Sequence, residues 1–137
     1  MVFSDGGARG NPGPAAIAFI LQSETGQTVA SRSHYVGVCT NNQAEYKALL
    51  AALEVAAARK AEKVTCNLDS ELVVKQLLGE YKVKNESLRQ LWQEVQDITK
   101  QFIEVKFVNV PRSNNVIQEV DRLVNMTLDA SAGDRKF

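Results

Sequence analysis

Histidine is all but absent from this sequence, with His34 alone, and cysteine occurs only at Cys39 and Cys66. The two cysteines lack the close pairing of a zinc site, so no thiolate or imidazole metal centre is expected. They offer no disulfide framework either, and a reduced, cytoplasmic setting is the expectation. No apolar run reaches the roughly 18 residues of a membrane span, so no membrane partner is expected. The N-terminus has no basic stretch followed by a long apolar core, which leaves no visible signal peptide. Nor does charge of one sign dominate: Lys plus Arg and Asp plus Glu each number 16. A polyanion would therefore have to be met by a local patch, not by the field of the whole molecule.

What remains is a globular composition, 45% hydrophobic and 23% charged over 137 residues. That is enough chain for one domain with a proper core. Val2 to Asp5, Pro14 to Gln22 and Gln27 to Val36 read as strands of an antiparallel meander. From Asn41 to Lys60 the period becomes helical, with Ala48, Leu49, Ala52, Leu53 and Ala56 on one face. Val64 to Asp69 alternates as a strand, and Glu71 to Leu78 reads as a short helix stopped at Gly79. A helix over Glu86 to Phe102, a strand over Ile103 to Val110 and a helix from about Val116 complete the order. The last helix carries the stripe Ile117, Val120, Val124 and Leu128, and a frayed tail is expected over residues 131–137. The predicted fold is α/β: a five-stranded mixed sheet, three antiparallel hairpin strands then two parallel ones, with helices on both faces.

Four carboxylates stand where these elements meet, and each has an ordinary explanation. Asp5 precedes Gly6-Gly7 and suits a turn, although the stretch dense in Gly and Pro runs on to Pro14. Glu45 suits a capping box formed by Asn42-Gln43-Ala44-Glu45, yet it shares the face that points at the sheet. Asp69 ends a strand and suits the N-cap of the next helix, yet the C-terminal ends of parallel strands are where ligands gather. Asp121 suits an exposed helical position beside the apolar stripe. The reading adopted is that all four converge. Carboxylates about 4 Å apart repel by roughly 4 kcal/mol per pair at an effective dielectric near 20. Such a cluster needs bound cations or protons. Oxygen ligands without His or Cys favour Mg2+ or Mn2+, and two such ions are the usual apparatus of phosphodiester hydrolysis.

Asp5-Gly6-Gly7-Ala8-Arg9-Gly10-Asn11-Pro12-Gly13-Pro14, Thr40-Asn41-Asn42-Gln43-Ala44-Glu45-Tyr46 and Leu68-Asp69-Ser70 resemble three successive signatures of ribonuclease H type 1. Tyr81-Lys82-Val83-Lys84-Asn85 and Asp121-Arg122-Leu123-Val124-Asn125 are similar to later family features, so the resemblance spans residues 2–130. It implies a monomeric ribonuclease H-like domain, an endonuclease cutting the RNA strand of RNA/DNA hybrids to leave 5′-phosphate and 3′-hydroxyl ends. It further implies that Asp5 bridges two metal ions, that Glu45 and Asp69 complete one site, and that Asp121 serves the other. Ribose 2′-hydroxyls, absent from DNA, would be read by the backbone of Gly6, Gly7 and Ala8 with Asn11, Asn41, Asn42 and Glu45. Thr40 and Asn42 would receive a DNA phosphate.

Three departures from the family pattern stand out. The loop before the last Asp, Pro111-Arg112-Ser113-Asn114-Asn115, lacks the His many members carry there, and Arg112 is the candidate substitute. Ile117 occupies the place where short-form members usually have Asn. The segment Gly79 to Leu88 is too short for the basic protrusion of some members, leaving Lys82, Lys84, Arg89 and Tyr81 as a smaller patch. Few phosphate contacts imply weak, salt-sensitive binding. The competing expectations are a non-catalytic nucleic-acid-binding domain and a DNA-cutting relative such as a resolvase or integrase core.

Overall fold

The computed structural model describes residues 1–134. Strands β1 (Val2–Ala8), β2 (Gly13–Gln22), β3 (Thr28–Cys39), β4 (Lys63–Leu68) and β5 (Glu104–Asn109) alternate with helices only after the third strand. The helices are α1 (Asn41–Ala58), α2 (Glu71–Leu77), α3 (Glu86–Thr99) and α4 (Asn115–Asp134). One sheet results, in the order β3-β2-β1-β4-β5. The first three strands pair antiparallel, β4 lies parallel to β1, and β5 lies parallel to β4. This is the mixed ribonuclease H-like sheet predicted from the sequence.

The apolar run from Ala15 to Leu21 is continuous because β2 is covered on both faces. Phe19 and Leu21 point into a cluster with Leu49, Leu53, Val73, Leu77, Val95 and Ile98, supplied by α1, α2 and α3. Ala16, Ala18 and Ile20 point the other way, onto Ile117, Val120, Val124 and Leu128 of α4. Burying each aliphatic side chain of that stripe contributes about 1.5–3 kcal/mol before entropy is counted. The stripe is what docks α4, alone, on its face of the sheet.

Two expectations are corrected. The first strand does not end at Asp5: β1 pairs with β2 as far as Ala8↔Ala15. Gly6 and Gly7 are therefore strand residues, and Gly6 serves close approach, not a turn. A Cβ there would lie 2.3 Å from both the carbonyl carbon and the oxygen of Ala44 in the first turn of α1. The second correction concerns the tail, because α4 continues through Asp134; residues 135–137 lie outside the described residues. No helix among the described residues is long and apolar enough to cross a membrane.

Because the Ala44 atoms are backbone, no rotamer change can relieve the clash. Gly6→Ala is expected to lower stability by about 1–3 kcal/mol, read from the urea midpoint. An unchanged midpoint would show that α1 is not held against β1 in this way.

Candidate active site

Strand pairing opens the site. β1 meets β4 only at Val2↔Cys66 and Phe3↔Asn67, whereas its ladder with β2 continues five residues further. Beyond Phe3, β1 thus has no neighbour on its β4 side, and Asp5 sits at the resulting gap. Asp69 is the first residue past β4 and stands at the same gap. Alternation along the strand puts Asp5 on the side of Phe3, the side covered by α4. Such gaps at parallel strand ends, where the chain switches direction across the sheet, are the ordinary ligand sites of α/β folds.

Helix caps decide what the carboxylates are free to do. Thr40, not Asn42, caps α1: its hydroxyl accepts from Gln43 N–H at 3.1 Å, and the Gln43 side chain accepts from Thr40 N–H at 2.8 Å. The capping box is therefore Thr40–Gln43, and Glu45 is released from it. At α2 the cap is Ser70, whose hydroxyl accepts from Val73 N–H at 3.3 Å, so Asp69 is released as well. Asn114 caps α4, accepting from Val116 and Ile117 N–H groups at 3.0 and 3.1 Å. In all three cases a neighbour satisfies the helix end.

The freed carboxylates converge. Asp5, Glu45 and Asp69 each offer an oxygen, and these oxygens lie within 4.8 Å of one another. Burial, then the charges of Asp69, Glu45 and Asp121, push the Asp5 carboxyl from its ordinary 3.8 up to about 8. Burial and Asp69 push Glu45 up to about 7, against the opposing effects of Ser70 and Arg112. Burial raises Asp69 too, and Arg112 partly offsets it; their charged groups approach to 3.7 Å, with the Arg112 side chain 92% exposed. Three carboxylates whose ionisation is opposed by burial and by neighbouring charge fit a hard divalent cation, with oxygen donors only.

Asp121 is placed differently. It is exposed on α4 and forms part of the wall of a cleft of about 500 Å3 that also contains the trio. Asn125, one turn on, donates to the Asp121 backbone oxygen at 3.1 Å and lies 3.4 Å from its carboxylate. Gly6, Gly7, Ala8, Asn41, Asn42 and Arg112 line the same cleft. Asn41 is fixed at the rim, its side chain accepting from Ala8 N–H at 2.8 Å. Asn11 and Thr40 are outside the cleft lining and act as supports: Asn11 accepts from Asn41 N–H at 3.0 Å, and Thr40 is the cap. Lys84 is exposed in the connector before α3 and does not line the cleft. Within that patch Arg89 is engaged with the Val83 carbonyl, and Tyr81 lies under the Lys75 ammonium at 5.1 Å. Trp92 is partly buried against the core and donates its indole N–H to the Gln76 carbonyl.

The sequence reading gave no role to Arg9, Ser70, Gln118 or Asn125, all of which line the cleft. For Ser70 and Asn125 the signal was present, one and four residues after an acidic candidate. Arg9 and Gln118 carry no such signal.

Sheet order and carboxylate cluster together define a member of the ribonuclease H-like class. The family profile described as Reverse transcriptase-like matches residues 3–127. Ribonuclease HI of Halobacterium salinarum is 40% identical over 93% of this chain and 63% of its own length. The crystal structure of RNase H1 from that archaeon superposes with a TM-score of 0.90, at 40% identity, over 94% of this chain and 96% of the other. LC11-RNase H1 in complex with RNA/DNA hybrid gives a TM-score of 0.89 at 38% identity, covering 96% of this chain and 97% of that one. A bifunctional protein of Mycobacterium tuberculosis is 38% identical over 96% of this chain but only 36% of its own length. The chain thus spans about a third of one curated relative and under two thirds of the other. It belongs to the ribonuclease H type 1 family.

The raised carboxyls have a consequence for stability. Between pH 4 and 8 the folded chain holds protons at Asp5 that the unfolded chain has lost. The stability this contributes is full below about pH 4 and is lost as pH rises through 8. Asp5→Asn is therefore expected to raise the metal-free melting temperature at pH 8 by about 3 °C or more. A variant melting lower than wild type without metal would contradict this.

Proposed function

We propose that this chain is a metal-dependent endoribonuclease that hydrolyses the RNA strand of RNA/DNA hybrids, leaving 5′-phosphate and 3′-hydroxyl ends. The observation that carries the reading is the convergence of Asp5, Glu45 and Asp69 within 4.8 Å, with ionisation of all three opposed. Asp5, central in the cluster, would serve two Mg2+ or Mn2+ ions, Glu45 and Asp69 completing one site and Asp121 the other. When bound, two such ions supply an activated water and neutralise charge at the leaving oxygen.

The chain's own residues contribute recognition. Gly6 to Ala8, Asn41 and Asn42 lie in the same cleft as the carboxylates, which supports their reading ribose 2′-hydroxyls beside the scissile bond. That LC11-RNase H1 binds RNA/DNA hybrid supports the same substrate here. Arg112 occupies the loop position of the His found in other members. Its place beside Asp69 supports a part in product release. The free, buried Cys39 and Cys66 are compatible with a reducing cytoplasm, and a monomer is the proposed working form.

Incubation of a labelled hybrid with Mg2+ or Mn2+ tests the proposal, with single-stranded RNA, RNA duplex and DNA duplex as controls. RNA-strand cleavage confined to the hybrid and abolished by EDTA is expected; an intact hybrid would point to a binding module, and a cut DNA duplex to a DNA-cutting relative. Asp69→Asn should reduce the rate by about 10^3-fold or more, since metal coordination supplies several kcal/mol. Asp121→Asn, altering an exposed and more distant ligand, should keep measurable activity with Mn2+. Equal rates for the two variants would contradict this ranking.

A further inference from the structure

The apolar stripe of α4 fixes where the helix lies by packing on Phe3, Ala16, Ala18 and Ile20 of the sheet. Val124 lies over Gly7, whose Cβ position would be 3.6 Å from that side chain. Asp121 stands beside this stripe, so a small roll of α4 would carry its carboxylate away from Asp5. One contact from the end of β1 opposes that roll. The Arg9 guanidinium pairs with Asp129 at 2.6 Å and reaches the Asn125 carbonyl at 3.4 Å. Asn125 in turn holds Asp121. Asp121, Asn125 and Asp129 follow at intervals of four and form a single ridge of the helix.

We propose that Arg9 is a positioning residue, and that its ion pair with Asp129 latches α4 to β1 and so fixes Asp121 opposite Asp5. The proposal rests on the metal-dependent hydrolase reading. It assigns a role to an arginine that lines the cleft yet has its charge engaged by the protein itself. Both partners are substantially exposed, 42% and 69%, so the latch contributes little to global stability. Its effect is on the placement of Asp121.

The test measures Mn2+ affinity by calorimetry and steady-state cleavage of hybrid for R9A, D129A, the double variant and the charge swap R9D/D129R. Each single variant is expected to lose about threefold to fivefold in Mn2+ affinity and in kcat, the most an exposed ion pair supports. KM for hybrid and the melting temperature should stay unchanged. The double variant should be no worse than either single, and the charge swap should recover at least part of the loss. A raised KM in R9A with a silent D129A would place Arg9 on a substrate phosphate and overturn the latch. Additive losses, or no loss in either single variant, would overturn it as well. The Mn2+ isotherms need no turnover: if wild type leaves the hybrid intact, the hydrolase reading fails while the pattern of Mn2+ affinities still decides the latch.

Discussion

Everything at this site depends on negative charges brought closer than they would choose. Asp5, Glu45 and Asp69 come from a strand, a helix and a strand end, and none can retreat without moving the element that carries it. Asp5 is locked by the β1–β2 ladder on one side. Glu45 follows Ala44, whose backbone presses on Gly6 so tightly that no side chain fits between them. Asp69 is anchored by β4 behind it and the capped α2 ahead of it. At an effective dielectric near 20 each pair of charges about 4 Å apart costs roughly 4 kcal/mol, and protons or cations must relieve that. The hydrophobic clusters on the two faces of the sheet supply the rigidity that keeps the carboxylates in place.

A division of labour between neighbouring residues makes this possible. Glu45 lies early in α1 and Asp69 just before α2, each close to a helix start that needs a cap. Thr40 with Gln43, and Ser70, take that work instead. The backbone donors at the helix starts are satisfied, and the carboxylates face the cleft. Asn11 and Asn41 brace the same corner through a chain of side-chain to backbone bonds that ends at Ala8. Asp121 differs in kind: it is exposed, is carried by α4, and depends on how that one helix is seated. Chemistry can therefore be divided between a rigid trio and a fourth group placed by a weaker contact.

The sequence made the architecture legible because its periodicities are strong. The apolar run within Pro14 to Gln22 announced a strand, and the stripe from Ile117 to Leu128 announced a helix with one buried side. The long signatures around Asp5 and Glu45 made the convergence of the acidic residues a specific expectation. What stayed hidden were contacts between distant segments. Asp5-Gly6-Gly7 has the look of a turn because the need for Gly6 is set by Ala44, which only the fold brings near. The caps at Thr40 and Ser70 stayed hidden because Asn42 and Asp69 offered equally adequate caps, and local pattern cannot say which of two such residues is used. The Arg9–Asp129 pair joins the start of the chain to its last helix, and no spacing rule connects them. Asn11 and Thr40 turned out to support the site without lining it, a distinction that requires side-chain directions.

The most direct measurement of the central claim is the proton balance of metal binding. Calorimetric titration with Mg2+ at pH 7, repeated in buffers of different ionisation enthalpy, counts the protons released per molecule. With Asp5 held at about 8 and Glu45 at about 7, saturable binding should expel about one proton or more. Saturable binding with no proton release would mean that the carboxylates are already ionised and do not crowd one another. No binding at all would mean that the cluster is not a metal site.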